Sequence, residues 1–407
     1  SFTRLETTTQ GAGNAGNIVL EASGNIAIAR STISSDTFGA GNAGTILIKA
    51  NGAIDIVSTD INSQVNSGST GNGGIISIEG GSVSLTEATR LQTTIFDGSK
   101  NAGNILINAR NTVTITSSNI LSSAETGATG DAGFISIKAG SIDTNNAFID
   151  SGNFVNGNAG NIDFEAKDNI SIINSKIASD AFNQDTKAAG KFAGIISFTA
   201  GNSLVIGSDS TITADSFGGE EAENNENSGF GFISIKAGAV SLLNRALLST
   251  NSFGSGAGGD IEINAGSISI SDAATVEALS AGTGDAGNIT IKATDSVAIS
   301  NSIINSTNFA SGNAGNLTIQ AGNTISISDK SSISSDTFNE QKNEAGGFAG
   351  DIFITAGDSF TIADSQITAE SFGGEKANPE DISGFGIISI QAKNVSLSEL
   401  ARLSTNT

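Results

Sequence analysis

Apolar and polar residues alternate along this chain in short bursts that return again and again. Asn17-Ile18-Val19-Leu20-Glu21-Ala22 comes back as Thr45-Ile46-Leu47-Ile48-Lys49-Ala50, as Asn104-Ile105-Leu106-Ile107-Asn108-Ala109 and as Asp260-Ile261-Glu262-Ile263-Asn264-Ala265. The pattern x-Ile-x-Ile-x-Ala has thirteen copies, with Leu, Phe or Gly in place of one member at Leu20, Gly80, Phe164, Phe198 and Leu317, usually after Ala-Gly or Gly-Gly. A period of two predicts a strand with one apolar face. A second short burst follows each first one, as in Val113-Thr114-Ile115 and Ile268-Ser269-Ile270. A third, weaker burst often ends in Phe: Phe38, Phe96, Phe154, Phe182, Phe217, Phe253, Phe309, Phe338 and Phe372. Gly, Asn, Ser and Asp separate the bursts and supply the turns.

Three such strands cannot bury a core by themselves. Stacked in register, each pairs with its counterpart above and below, and the Ile positions become continuous interior columns. The expected fold is all-β: a right-handed parallel β-helix, or β-solenoid, with the hand set by the crossover rule. About 13 three-strand rungs of roughly 31 residues each are expected, within the range of solenoid repeats. Rungs about 4.8 Å apart would give a rod about 60 Å long. The outward position between the second Ile and the Ala offers an independent check. It runs Glu21, Lys49, Glu79, Asn108, Lys138, Glu165, Thr199, Lys236, Asn264, Lys292, Gln320, Thr355, Gln391, with no like charges adjacent. Like charges directly opposite one another on neighbouring strands destabilise a sheet, so this order favours the stacking.

A longer period overlies the short one. Asn158-Ala159-Gly160-Asn161 recurs from Asn313, and Ser216-Phe217-Gly218-Gly219-Glu220 recurs from Ser371, both shifted by 155 residues. The expectation is one continuous solenoid over 1–407, with a partial rung at 1–10 and five-rung blocks at roughly 93–248 and 249–403. Insertions grow only after the third strand, at 183–190, 218–228, 339–346 and 373–383. They are expected to project from one edge. Arg4-Leu5-Glu6-Thr7-Thr8 and Arg402-Leu403-Ser404-Thr405-Asn406 stand at the same phase of the repeat. Solenoid ends are normally capped, so the sequence reads as a piece of a longer chain, with end-to-end stacking of copies as the other expectation.

Composition removes whole classes of chemistry. The 407 residues contain no His, Cys, Met, Trp or Tyr. Imidazole-based nucleophile systems are thereby excluded, as are disulfides and thiolate metal sites. The absence of Cys fits a secreted protein stabilised by other means. A net charge of −22 disfavours nucleic acid and anionic lipid as partners. No run of 18 apolar residues exists to span a membrane as a helix.

Gly157-Asn158-Ala159-Gly160-Asn161-Ile162 and Gly312-Asn313-Ala314-Gly315-Asn316-Leu317, each followed by Ile-Ser-Ile and Ser-x-Ile-Ser-Ser type segments, carry a family likeness. They resemble the repeat region of filamentous-haemagglutinin-like exoproteins of two-partner secretion systems, of the cyanobacterial type. The resemblance covers essentially the whole chain. It implies export through an outer-membrane barrel transporter and a place on the cell surface or in the surrounding matrix, as an adhesin or filament. No N-terminal secretion domain of that family is recognisable here.

The densest charge cluster holds the candidate metal residues Glu220, Glu221, Glu223 and Glu226. Hard cations take several oxygens, which makes Ca²⁺ the ion to consider. The segment lacks the Asp-x-Asp-x-Asp-Gly spacing, so a solvated loop is the expectation and no cofactor is assigned. Asp143 and Asp163 are candidates for a glycosidase pair but show no local clustering. An outward row on the second strand, including Ser84, Thr114, Ser171 and Ser269, could contact glycans. Ala27, Asp55, Asp143, Val205 and Ala298 interrupt it, and strand propensity with solubility is the expected reading. The Phe row is expected to be a stacked internal column rather than an exposed stripe. The reading is a non-catalytic extracellular structural or adhesive protein, either a stiff spacer or an end-to-end filament subunit. The alternative is a β-helix that binds or cleaves polysaccharide.

Overall fold

A computed structural model describes residues 3–96, 100–125, 127–155, 157–182, 192–217, 229, 231–254, 256–338, 347–372 and 384–406. The four insertions, with Glu220, Glu221, Glu223 and Glu226 among them, lie outside the described residues. Regular structure among the described residues is β throughout, without helices. It falls into two compact units, one ending at Asn202 and the other beginning at Ser203. Each is a parallel β-solenoid.

In the first unit the first strands of successive rungs lie parallel and residue on residue. Ile18 sits on Ile46, then Ile76, Ile105, Ile135, Ile162 and Ile196. In the second unit Ile233 sits on Ile261, then Ile289, Leu317, Ile352 and Ile388. The third strands repeat the arrangement, from Ile33 through Ile61, Leu91, Ile120 and Ile149 to Ile177 in the first unit. The columns read from the sequence are therefore columns in space. Ile46, Ile48, Ile54, Ile56 and Ile61 are wholly buried, and each such burial contributes roughly 1.5–3 kcal/mol.

The outward column also stacks as expected, and its alternating charges meet. Lys49 pairs with Glu79 at 2.9 Å and Lys138 with Glu165 at 2.5 Å. Three rungs of the second unit depart from the expected strand-turn-strand pattern. Phe232–Leu242, Asp260–Ile270 and Ile289–Ser300 run through the first corner as single strands. In the first two, only Gly238-Ala239 and Gly266-Ser267 separate the inward Ala from the next inward residue. The face switches there without a looped turn.

The other corners use two devices. Between second and third strands the chain turns through left-handed residues that are not glycine, singly at Arg30, Ser117 and Asn146 or in pairs such as Asp272-Ala273 and Asp329-Lys330. Between third and first strands, the Gly-Asn-Ala-Gly-Asn motif forms two ladders. In one, the side-chain oxygens of Asn14, Asn42, Asn101, Asp131 and Asn158 each accept the backbone N–H of the equivalent residue one rung on. Asn17, Asn104 and Asn161 in the first unit, and Asp260, Asn288, Asn316 and Asp351 in the second, form the other ladder. Buried hydroxyls tie the same corner to the third strand. Ser35 donates to the Gly16 carbonyl at 2.6 Å, and Ser306 to Gly287 and Thr250 to Gly259 at the same distance.

One rung of the ladder can be removed cleanly. Asn101 accepts the Asp131 N–H at 3.0 Å. Asn101→Ala is expected to cost about 1 kcal/mol, the net value of one such bond. Asn101→Asp, which keeps the acceptor as Asp131 itself does, should cost less. The midpoint of urea unfolding at constant slope measures both.

Candidate functional site

Three features of the surface and near-surface could do chemistry: the buried carboxylates on and just after the third strand, the phenylalanine row and the first corner of each rung.

The carboxylates have a structural occupation. Asp36 accepts the Ser34 hydroxyl at 2.6 Å and the Gln64 N–H at 2.8 Å. In the second unit Asp215 accepts Ser249 at 2.6 Å and the Asn251 N–H at 2.7 Å, while Asp336 accepts Thr368 at 2.8 Å and the Glu370 N–H at 2.7 Å. These acids bridge adjacent rungs, with the carboxylate oxygens turned to protein donors. Burial pushes the Asp36, Glu277 and Asp336 carboxyls above their ordinary values, against the hydrogen bonds that pull them down. Asp150 is the extreme case. It is buried on the third strand, accepts the Gly152 N–H at 2.9 Å, and burial raises it to about 7 with help from Asp180 and Glu125.

The candidates Asp143 and Asp163 occupy different strands. Asp163 accepts the Ser197 hydroxyl at 2.6 Å and lies 3.8 Å from Lys138. Asp143 is outward on the second strand between Thr114 and Ser171. No group of three or more acids that could hold a metal occurs among the described residues.

The phenylalanine row corrects the sequence expectation in one respect. The rings do stack: Phe154 on Phe182 at 5.1 Å, Phe217 on Phe253 at 4.7 Å, and Phe338 on Phe372 at 4.8 Å. The column is at the surface, however, not inside. Phe38 is 49% exposed and Phe372 40%. Strand parity is the reason. The neighbouring positions Thr37, Val65, Ile95, Ala124 and Asn153 point inward and are wholly buried, so the residue after each points out. The internal aromatic pair is a different one, Phe164 with Phe198 at 5.2 Å, in the partner column of the first strand.

The first corner forms a trough in each unit. Its wall is the outward column after the second Ile, and the small residues of the Ala column lie beside it. In the first unit it is lined by Lys49, Glu79, Arg110, Lys138, Glu165 and Lys167, among others. In the second unit the wall is Lys236, Asn264, Lys292 and Gln320. The sequence reading used this column only to test register. The trough itself is not legible there, because it needs the bend beside the column, which the alternation pattern does not describe.

No family model, curated protein or solved structure matches this chain. Among the described residues no helix is long and apolar enough to cross a membrane.

Proposed function

We propose that this chain is a non-catalytic structural and adhesive element of the cell exterior, a stiff solenoid spacer or filament subunit. The observation that carries the reading is the residue-on-residue register of the first strands through each unit. An enzyme brings unlike side chains together at one point. This fold repeats like side chains along a line, which extends a backbone-bonded ladder and presents many copies of one surface. Asp36, Asp215 and Asp336 bridge rungs instead of facing a cleft. Together with the sequence resemblance, this supports a secreted or surface-held protein exported through an outer-membrane barrel partner. It also supports either end-to-end self-association or membership of a longer chain, with surface glycans as contacts.

The test is immunogold labelling of intact cells of the source organism, with and without protease treatment of the surface. Label on surface-attached material that protease removes is the expected result. Label confined to the cell interior would overturn the proposal.

A further inference from the structure

In the second unit, Lys236 pairs in register with Asn264, Asn264 with Lys292, and Lys292 with Gln320. Ala237, Ala265 and Ala293 follow them in the chain, and the bend there leaves a trough of about 610 Å³. No Asp or Glu lines it, on a chain whose net charge is −22. The equivalent lysines of the first unit, Lys49 and Lys138, are held by Glu79 and Glu165. Lys236 and Lys292 have no carboxylate within 4.0 Å among the described residues. The nearest acid on that face in sequence, Glu262, takes a hydrogen bond from the Asn264 amide at 2.8 Å, leaving the Asn264 carbonyl oxygen as an acceptor.

The spacing selects a ligand. Rungs are about 4.8 Å apart, so the two lysines stand about 10 Å apart, with amide side chains on the rungs between and beyond. An acidic peptide lying along the trough as a β-strand would bring same-face carboxylates about every 6.6 Å and fall out of step. A nucleic acid strand carries a charge about every 3.4 Å and would meet the repulsion of the whole chain. A polysaccharide with an anion on every second sugar matches the lysines, and its hydroxyls match the amides. We infer that the trough along Lys236, Asn264, Lys292 and Gln320 binds an extended acidic polysaccharide that carries one carboxylate or sulfate on alternate sugars.

This inference gives the adhesive reading a ligand, and rests on it only for the encounter with an external polymer. The two can fail separately. A protein that binds the polymer but is found inside the cell loses its location and keeps its trough.

The test uses the full chain and hyaluronan octasaccharide, in which glucuronate alternates with a neutral sugar, at about 0.15 M salt, where remote carboxylates are screened beyond about 8 Å. Binding is expected by titration calorimetry, with dextran inert and polygalacturonate, acidic at every sugar, weaker. The double variant K236Q/K292Q should lose at least tenfold in affinity, about 1.4 kcal/mol. The variant K236R/K292R should keep most of the binding, and K49Q/K138Q should change nothing. Circular dichroism confirms the fold of each. Absence of hyaluronan binding, or binding untouched by K236Q/K292Q, would overturn the inference. So would polygalacturonate or poly-glutamate binding as tightly as hyaluronan, because the spacing argument would then have chosen the wrong polymer.

Discussion

Gly133→Ala is expected to destabilise the first unit severely, by about 4–5 kcal/mol, at the upper limit of single substitutions. Gly133 sits at the third corner, where each rung's backbone rests against the one before. A Cβ at Gly133 would run into the carbonyl oxygen of Gly103 and the hydroxyl of Ser122. The same Ser122 hydroxyl donates to the Gly103 carbonyl at 2.5 Å. The Gly103 carbonyl is backbone and has no rotamer to escape by, so the rungs themselves would have to separate. Separation would stretch the ladder bonds on either side, including Gly133 N–H to Ser122 O at 3.0 Å. For a unit of this size, each kcal/mol lowers the melting temperature by roughly 2–4 °C, so a fall of about 8–20 °C is expected. Hydrogen exchange should accelerate first in the strand Ile135–Ala139. Gly13→Ala is the matched control, since nothing lies within 4 Å of a Cβ there. It should be neutral within about 0.5 kcal/mol. Equal effects at the two sites would refute the close-approach explanation.

Mild acid is expected to stabilise the protein, and Asp150 to be the main cause. Its carboxyl has an ordinary value of 3.8 and is raised to about 7 in the fold. Above pH 7 the folded state must hold a buried carboxylate, close to Asp180 and Glu125, that the unfolded chain leaves in water. As pH falls through 7 the folded state takes up the proton while the unfolded chain remains ionised, so stability rises. The gain levels off near the unfolded value, where both states are protonated. The shift corresponds to about 4 kcal/mol between pH 8 and pH 4, taken as an order of magnitude. Asp36, Glu277 and Asp336 are raised by burial as well and add slope of the same sign. Asp150→Asn keeps an oxygen for the Gly152 N–H and removes the charge. It should therefore stabilise the protein at pH 8 and flatten the pH dependence without abolishing it. Urea unfolding at pH 5 and pH 8 measures both effects. A wild-type stability that falls between pH 8 and pH 5 would contradict the assignment.

The carboxylates and the trough show where reading the chain reached its limit. Asp150 looks like any polar residue after an inward Ile, and only the rungs packed above and below it remove its water. Lys236 and Lys292 were visible as members of an outward column, and their separation by Asn264 was visible too. That they remain unpaired while Lys49 and Lys138 are neutralised follows from which residue occupies the adjoining rung. That comparison could have been made from the column alone. The Ca²⁺ candidates Glu220, Glu221, Glu223 and Glu226 fall outside the described residues, and the glycosidase candidates Asp143 and Asp163 stand on separate strands.

The sequence by itself determined the strands, their parallel stacking and the residue-on-residue register. Alternation has a period of two and the copies repeat it, so a slip of one residue would turn every Ile column out to solvent. The tertiary structure decided the corners and everything that depends on them. Glycine is required where backbone meets backbone, Asn where a side chain must reach the next rung's N–H, and left-handed residues where the chain turns without glycine. Whether a Phe is inside or outside, and whether a carboxyl such as Asp150 loses its water, depends on parity and on the rungs packed against it. These are contacts between residues some 28 or more positions apart, and a local pattern of apolar and polar residues carries no record of them.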